Sequence, residues 1–269
     1  MKYPIALQLY SVREQLKADF KGTLQAVKNM GYDGVEFAGL YGHSYADVKA
    51  MCDEVGLKVI SAHVSITDME QGGEELFEGY AYLGCKTIVI PHPGNYSNNG
   101  IPTEKLFNFI REYSPIAKKY GMHIAYHNHD TEFNMIEDKH GLDYLYDNTS
   151  PEQLIAQLDT CWVNVGGEDP AEYIKKYGNR AVNVHFKDFS GEKGENMYAL
   201  IGTDGKEQGE QQGEFELRPV GYGVQNFPAM VKALDDTDIE WIIIEMDEPS
   251  MGKTRLECAE MGINYLRSI

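Results

Sequence analysis

Short apolar runs rich in β-branched residues alternate along the chain with longer segments of helical period. The short runs predict buried strands, and the 3.6-residue period of the longer segments predicts amphipathic helices. The predicted strands span residues 5–10, 34–38, 58–63, 87–92, 123–129, 154–159, 181–187 and 241–247. The predicted helices span residues 20–30, 45–55, 74–83, 103–120, 141–148, 171–177, 227–234 and 254–267.

Glycines punctuate this alternation, since five predicted helices are each followed by one: Gly31, Gly56, Gly84, Gly121 and Gly178. A glycine there is typical of a left-handed residue that closes the last helical turn.

The repeated strand–helix unit, without a linker rich in Pro, Ser or charge, predicts one α/β domain over residues 1–269, a single (β/α)₈ TIM barrel. An open doubly wound sheet is the alternative. The polar segment at about 188–225 interrupts the alternation of strands and helices and is predicted to be a lid, an insertion or a disordered loop.

Composition narrows the class of protein. The chain has 269 residues and a net charge of −18, so it repels phosphate backbones and anionic lipid, which argues against nucleic-acid and membrane partners. Its apolar runs are far shorter than the ~20 residues that span a bilayer. The N-terminal segment lacks the pattern of a signal peptide, and we therefore expect a cytoplasmic protein. Four dispersed cysteines without a CxxC pair fit reduced thiols.

Polar residues gather toward the carboxyl ends of the predicted strands, and period-two alternation indicates which of them share a face. The groups that share a face are Gln8 with Tyr10, Gly34 with Glu36, Ser61 with His63, Ile90 with His92, His127 with His129, Gln157 with Asp159, Asn183 with His185 and Lys187, and Glu245 with Asp247. Because the carboxyl ends of barrel strands meet at one mouth, we expect the functional site there.

Acids and imidazoles that converge from different strands can hold a divalent cation, and carboxylate and imidazole ligands favour manganese, zinc, iron, cobalt or nickel over calcium. The alternative is a metal-free pocket in which His127, His129 and His185 are hydrogen-bonded interior residues. A nucleophilic Cys161 beside a histidine has no sequence signature beyond coexistence.

Several segments resemble the sugar phosphate isomerase/epimerase family of xylose isomerase-like TIM barrels, which stand alongside the inosose isomerases and dehydratases, the ketose 3-epimerases and endonuclease IV. These segments are LQLYSVR at 7–13, GYDGVEFAG at 31–39, YHNHDTEF at 126–133, LDTCW at 158–162, HFKD at 185–188 and EMD at 245–247. The resemblance implies one divalent metal ion, manganese first, held by His127, Asp159, His185 and Glu245. The family usually has Glu where this chain has His127, and many epimerases have His where it has Trp162.

The chemistry that the resemblance implies is removal of a proton next to a carbonyl. The first prediction is a metal-dependent isomerase or epimerase of a sugar or polyol derivative acting through an enediolate. The second is a lyase or dehydratase acting on a keto-sugar, inosose or keto-glycoside, which His127 and Trp162 favour. Endonuclease IV-like cleavage conflicts with the acidic charge, and a non-catalytic sugar-binding barrel would need an incomplete ligand set.

The candidate site residues fall into two further groups. Candidates for proton transfer or oxygen polarisation are Glu245, His129, His63, Lys187 and Glu36, and candidate substrate contacts are Gln8, Tyr10, His92, Trp162 and Asp247. The expected partner is a small carbohydrate, and exposed barrel faces are compatible with a homo-oligomer.

Overall fold

The computed structural model describes residues 1–192 and 214–269, in which eight parallel strands close into a barrel. The barrel strands are β1 (Ile5–Gln8), β2 (Gly34–Ala38), β3 (Lys58–His63), β4 (Thr87–Ile90), β5 (His123–His127), β6 (Ile155–Asp159), β7 (Ala181–Phe186) and β8 (Trp241–Ile244). The predicted (β/α)₈ barrel is therefore confirmed, and closure of β1 against β8 excludes the open sheet.

Several strands end earlier than the apolar pattern predicts. At the end of β1 the side chain of Gln8 accepts the Tyr10 amide at 3.0 Å, and a 3₁₀ turn follows at Leu9–Val12. β4 ends before Pro91, which has no N–H to donate to a neighbouring strand. Polar residues beyond these ends therefore lie on loops around the mouth of the barrel.

Ten α-helices lie within the described residues. They are α1 (Arg13–Ala18), α2 (Phe20–Asn29), α3 (Tyr45–Val55), α4 (Ile66–Leu83), α5 (Glu104–Lys119), α6 (Gly141–Asp147), α7 (Thr160–Val165), α8 (Pro170–Tyr177), α9 (Phe227–Ala233) and α10 (Arg255–Ser268). The sequence pattern missed α1 and α7, which are too short to show a helical period. It also started α4 too late, because Gly73 interrupts the helix with φ of +49°. None of the described helices is long and apolar enough to cross a membrane.

The glycine punctuation is confirmed at four of the five positions, where Gly31, Gly56, Gly84 and Gly121 have positive φ. It is wrong at Gly178, which has φ of −63° and begins a 3₁₀ turn. A Cβ at Gly178 would lie 2.3 Å from Cγ2 of Thr237. Close packing, and not a left-handed backbone, therefore requires glycine there.

The barrel interior changes character from one end to the other. Small apolar clusters lie inside it, one of them formed by Val89, Ala125 and Ile155. Ile155 pairs with Ala125, and two residues further along the same strands Gln157 pairs with His127. The interior thus becomes polar toward the carboxyl ends of the strands, as the alternation predicts, while the main core lies between strands and helices.

The segment after β7 is the predicted lid, insertion or disordered loop, and its two ends form a small antiparallel sheet of Asp188–Ser190 with Glu216–Arg218. The middle of the predicted loop, and with it the predicted lid, lies outside the described residues. Asp188 holds the returning chain, because its carboxylate accepts the amides of Phe189, Gly221, Gly223 and Gln225 at 2.8–3.2 Å.

We expect Asp188→Ala to lower the free energy of unfolding by about 2–4 kcal/mol, because four backbone amides lose their acceptor. Urea unfolding measures this change. Asp235→Ala is the control, since that exposed carboxylate forms a surface ion pair with Lys2 and should cost at most about 1 kcal/mol. Equal losses in the two variants would contradict the anchoring role of Asp188.

Candidate functional site

A cavity of ≈ 390 Å³ opens at the carboxyl ends of the barrel strands. Its volume lies in the range of small-molecule sites. Eight predicted site residues line it: Tyr10, His63, His92, His127, His129, Lys187, Glu245 and Asp247. Ala38, Gly39, Asp68 and Pro91, which were not predicted, complete the wall.

Four buried side chains from neighbouring strands form a group that could hold a metal ion. His127 ends β5, Asp159 ends β6, His185 lies in β7 and Glu245 follows β8, and their ligand atoms lie within 4.8 Å of one another. All four side chains are buried. Imidazole and carboxylate together suit a divalent transition metal. This group is the ligand set that the family resemblance implies.

Asp159 divides its two carboxylate oxygens between the fold and the group. Oδ1 accepts the amides of Cys161 at 2.8 Å and Trp162 at 3.1 Å, which caps α7. Oδ2 is buried without a hydrogen-bond partner in the part of the chain that the structure describes, 3.6 Å from His127 Nε2. Burial raises the pKa of Asp159 to about 6. A buried carboxylate oxygen without a partner is costly, and a bound cation would satisfy it.

Gln157 determines which nitrogen of His127 carries the proton. The Gln157 amide donates from Nε2 to Glu36 at 2.6 Å and to Asn183 at 2.8 Å, so its Oε1 must accept. His127 Nδ1 lies 3.2 Å from that oxygen and therefore donates to it. Burial lowers the pKa of His127 well below its usual value, so the ring is neutral. Its Nε2 then carries a lone pair, as metal coordination requires.

Glu36 lies behind the group and orients His185. Its carboxylate accepts from Gln8, Ser61 and Gln157, and it contacts His185 Nε2 at 2.7 Å. Burial raises the pKa of Glu36, but the neighbouring His63 and His185 outweigh it and hold that pKa well below the usual value. Glu36 does not line the cavity. The geometry favours a positioning role for Glu36 over the predicted role as a base.

The other ring nitrogen of His185, Nδ1, lies 3.1 Å from Oε2 of Glu245, the acid that follows β8. In a metal-binding histidine, one ring nitrogen usually coordinates the metal and the other donates to a carboxylate. Glu36 would supply the orienting carboxylate, and Nδ1 would supply the ligand.

Lys187 is a buried cation among three carboxylates. Its Nζ lies 2.7 Å from Asp247, 3.1 Å from Glu245 and 3.7 Å from Asp159. Burial lowers its pKa, but these carboxylates outweigh that effect and raise the pKa well above the usual value. Lys187 therefore stays charged, and its shortest contact anchors it to Asp247.

Two predicted substrate contacts have no surface in the cavity. Gln8 is fully buried and binds Glu36. Trp162 is 1% exposed, its ring stacks on Phe215 with centroids 6.0 Å apart, and the Lys187 ammonium lies 5.3 Å from it. The structure thus places Trp162 beneath Lys187 and leaves it no free face for a sugar ring.

Two arginines that no sequence pattern indicated bind the backbone at the rim of the cavity. Arg13 and Arg255 each donate to the Asp247 carbonyl at 2.6 Å, and both contact the Glu248 carboxylate. Arg13 and Asp247 are 234 residues apart in the chain, so no local pattern could reveal the contact. The alternation did place Gln157 on the face of Asp159, but not at the centre of this hydrogen-bond network.

Comparison with known proteins identifies the family. The chain matches the xylose isomerase-like TIM barrel family over residues 24–269. It is similar to an inosose dehydratase of Clostridium perfringens, at 24% identity over 92% of this chain and 89% of that protein. A solved sugar phosphate isomerase/epimerase from Parabacteroides distasonis superposes with a TM-score of 0.78 at 22% identity, covering 100% of this chain and 94% of that one. The IolI protein with a bound zinc atom gives 0.69 at 15% identity, covering 98% and 97%. The chain belongs to the xylose isomerase-like TIM barrel family.

Proposed function

We propose that this protein is a divalent-metal-dependent enzyme that removes a proton next to the carbonyl of a sugar or polyol derivative. The observation that carries the proposal is the group of His127, Asp159, His185 and Glu245 beside a cavity of ≈ 390 Å³. Similarity to an inosose dehydratase and to a sugar phosphate isomerase/epimerase supports a sugar-like substrate. The zinc atom of IolI supports a metal site.

The four side chains would hold one divalent ion, and manganese remains the first candidate, with zinc, cobalt, nickel and iron as alternatives. When bound, the ion would stabilise the negative charge that develops on the substrate carbonyl oxygen. Gln157 and Glu36 orient the two histidines from behind. Lys187 can donate to a substrate oxygen while it remains anchored on Asp247.

His129 is the base that the geometry favours. It lines the cavity, its ring centroid lies 5.2 Å from that of His127, and burial lowers its pKa well below the usual value. Its ring is therefore neutral, so a ring nitrogen carries the lone pair that a base needs. His92 complements it, because its Nδ1 accepts the Gly94 amide at 3.0 Å. In the neutral ring Nε2 then carries the proton, and His92 can act as a donor.

Elimination is the outcome that these groups support best. The imidazoles of His63, His92, His127 and His129 line the cavity. Of its three acids, Glu245 and Asp247 are bound to Lys187, and Asp68 accepts the Ser65 hydroxyl at the start of α4. An epimerase that uses two carboxylates for proton transfer needs an acid at the position where this chain has His127. We therefore propose a dehydratase or lyase acting on an inosose or keto-sugar, and the dehydratase name of the relative agrees with it. Isomerisation or epimerisation remains the second candidate.

Product analysis in D₂O with a panel of inososes and keto-sugars tests both proposals. Deuterium exchange next to the carbonyl reports the shared proton removal. A product that has lost water or an aglycone supports elimination, whereas a deuterated isomer of equal composition supports the second candidate. Absence of exchange across the panel with the manganese, zinc and cobalt forms would contradict the proposed chemistry.

We expect Gln157→Met to weaken divalent metal binding about 10–100-fold, because His127 loses the acceptor that fixes its protonated nitrogen. Competition with a chelator measures this affinity. Gln25→Met is the matched control, since Gln25 lies exposed on α2 and its amide contacts Asn29. Unchanged affinity in the Gln157 variant would show that the network does not support the ligands.

A further inference from the structure

A second cavity, of ≈ 560 Å³, lies at the opposite end of the barrel. Its wall includes the first residues of several strands, among them Lys58 of β3, Thr87 of β4, His123 of β5 and Trp241 of β8. Catalysis in TIM barrels takes place at the carboxyl ends of the strands. The proposed function therefore gives this N-terminal cavity no role, although it is the larger of the two.

The N-terminal cavity is locally basic in an acidic chain. Lys58 and Lys86 both line it, and neither has a carboxylate within ion-pair distance among residues 1–192 and 214–269. A third lining lysine, Lys49, is neutralised by Asp53 at 2.6 Å. The remaining lining acid is Glu240. In a chain of net charge −18, two such lysines together mark a place where an anion can approach.

A buried hydroxyl in the same wall has no hydrogen-bond partner. Thr87 is 1% exposed, and its Oγ1 forms no hydrogen bond within the described part of the chain. Leaving a buried hydroxyl without a partner is unfavourable. An oxygen of a bound ligand would supply the missing partner.

Trp241 gives the cavity an apolar surface. The half-buried indole packs against Ala6, Ile60 and Ile243, and the Lys58 ammonium lies 5.8 Å from its ring centroid. A flat apolar group can therefore contact the indole while a negative charge lies near Lys58. This combination favours a ligand with an anionic head and an apolar ring.

We propose that the N-terminal cavity binds a small anion that carries a flat apolar ring. The anionic group lies between Lys58 and Lys86, an oxygen of the ligand pairs with the Thr87 hydroxyl, and the ring lies against Trp241. This site is separate from the metal group at the other mouth and does not depend on the proposed function.

Isothermal titration of the full chain with phenyl phosphate tests the site. Inorganic phosphate lacks the ring and benzyl alcohol lacks the charge, so each should bind more weakly, by about tenfold or more. We expect Lys58→Gln and Lys86→Gln each to weaken phenyl phosphate binding about 5–30-fold. Lys17→Gln, an exposed lysine on α1, is the matched control and should leave the affinity unchanged.

Thr87→Val gives the sharpest test. It removes the hydroxyl without changing the shape of the side chain, so it should weaken phenyl phosphate binding. The fraction of unfolded protein in urea should stay equal or fall, because the buried hydroxyl has no partner among the described residues. Absence of binding at millimolar phenyl phosphate would overturn the proposal. Affinity equal to that of the parent protein in the Thr87, Lys58 and Lys86 variants would also overturn it. So would a loss of affinity that occurs only in His129→Ala, at the other mouth of the barrel.

Discussion

Asp159→Asn is expected to remove the bound divalent ion and to lower kcat/KM at least about a thousandfold. The substitution keeps the oxygen that accepts the amides of Cys161 and Trp162, so the cap of α7 is retained. It removes the charge of the buried Oδ2, which has no hydrogen-bond partner among the described residues. Elemental analysis of the purified protein and turnover of an inosose or keto-sugar measure the two effects.

Asp169→Asn is the matched control for this change. Asp169 caps α8 in the same way, by accepting the amides of Ala171 and Glu172, but it is not part of the metal-binding group. We expect it to retain metal and turnover. If the Asp159 variant also retained both, Asp159 would not be a metal ligand, and the group of four residues would not be the site of metal binding and turnover.

Lys187→Met is expected to lower the free energy of unfolding of the metal-free protein by about 3–5 kcal/mol, because it leaves buried carboxylates without their cation. Asp159, Glu245 and Asp247 all lie within 4 Å of its ammonium. A divalent ion would restore positive charge among them. Added manganese should therefore stabilise this variant more than it stabilises the parent, and urea unfolding with EDTA or manganese measures both effects.

Lys176→Met is the control for Lys187, since its ammonium pairs with Asp143 at 2.8 Å while its own side chain is 48% exposed. Losing a surface ion pair should cost at most about 1 kcal/mol. Similar losses in both variants, or equal stabilisation of all three proteins by manganese, would show that Lys187 does not balance these carboxylates.

The strands and the faces of their polar residues could be predicted from sequence. β-branched runs identify strands because both faces of a barrel strand are buried, and alternation follows from the backbone of one strand. The pairing of Gln157 with Asp159 on one face needs no information from elsewhere in the chain. The same reasoning placed His127, His185 and Glu245 toward one mouth, and the family resemblance selected them as ligands.

Alternation indicates the face of a residue but neither its depth in the barrel nor its neighbours. Glu36 and Gln8 share the inner face with the site, yet they lie below the cavity and bind each other. Trp162 follows a ligand in sequence, but it packs under Phe215.

The sequence by itself determined the strands and the end at which the polar groups gather, because those features follow from local periodicity. It predicted the closed barrel from the repeated unit, and the pairing of β1 with β8 excluded the open sheet. Only the tertiary structure decided which groups face the cavity and which support it from behind. His185 meets Glu36 across 149 residues, and Arg13 meets Asp247 across 234. Such contacts depend on barrel closure and on the register between distant strands, and no local pattern carries that information.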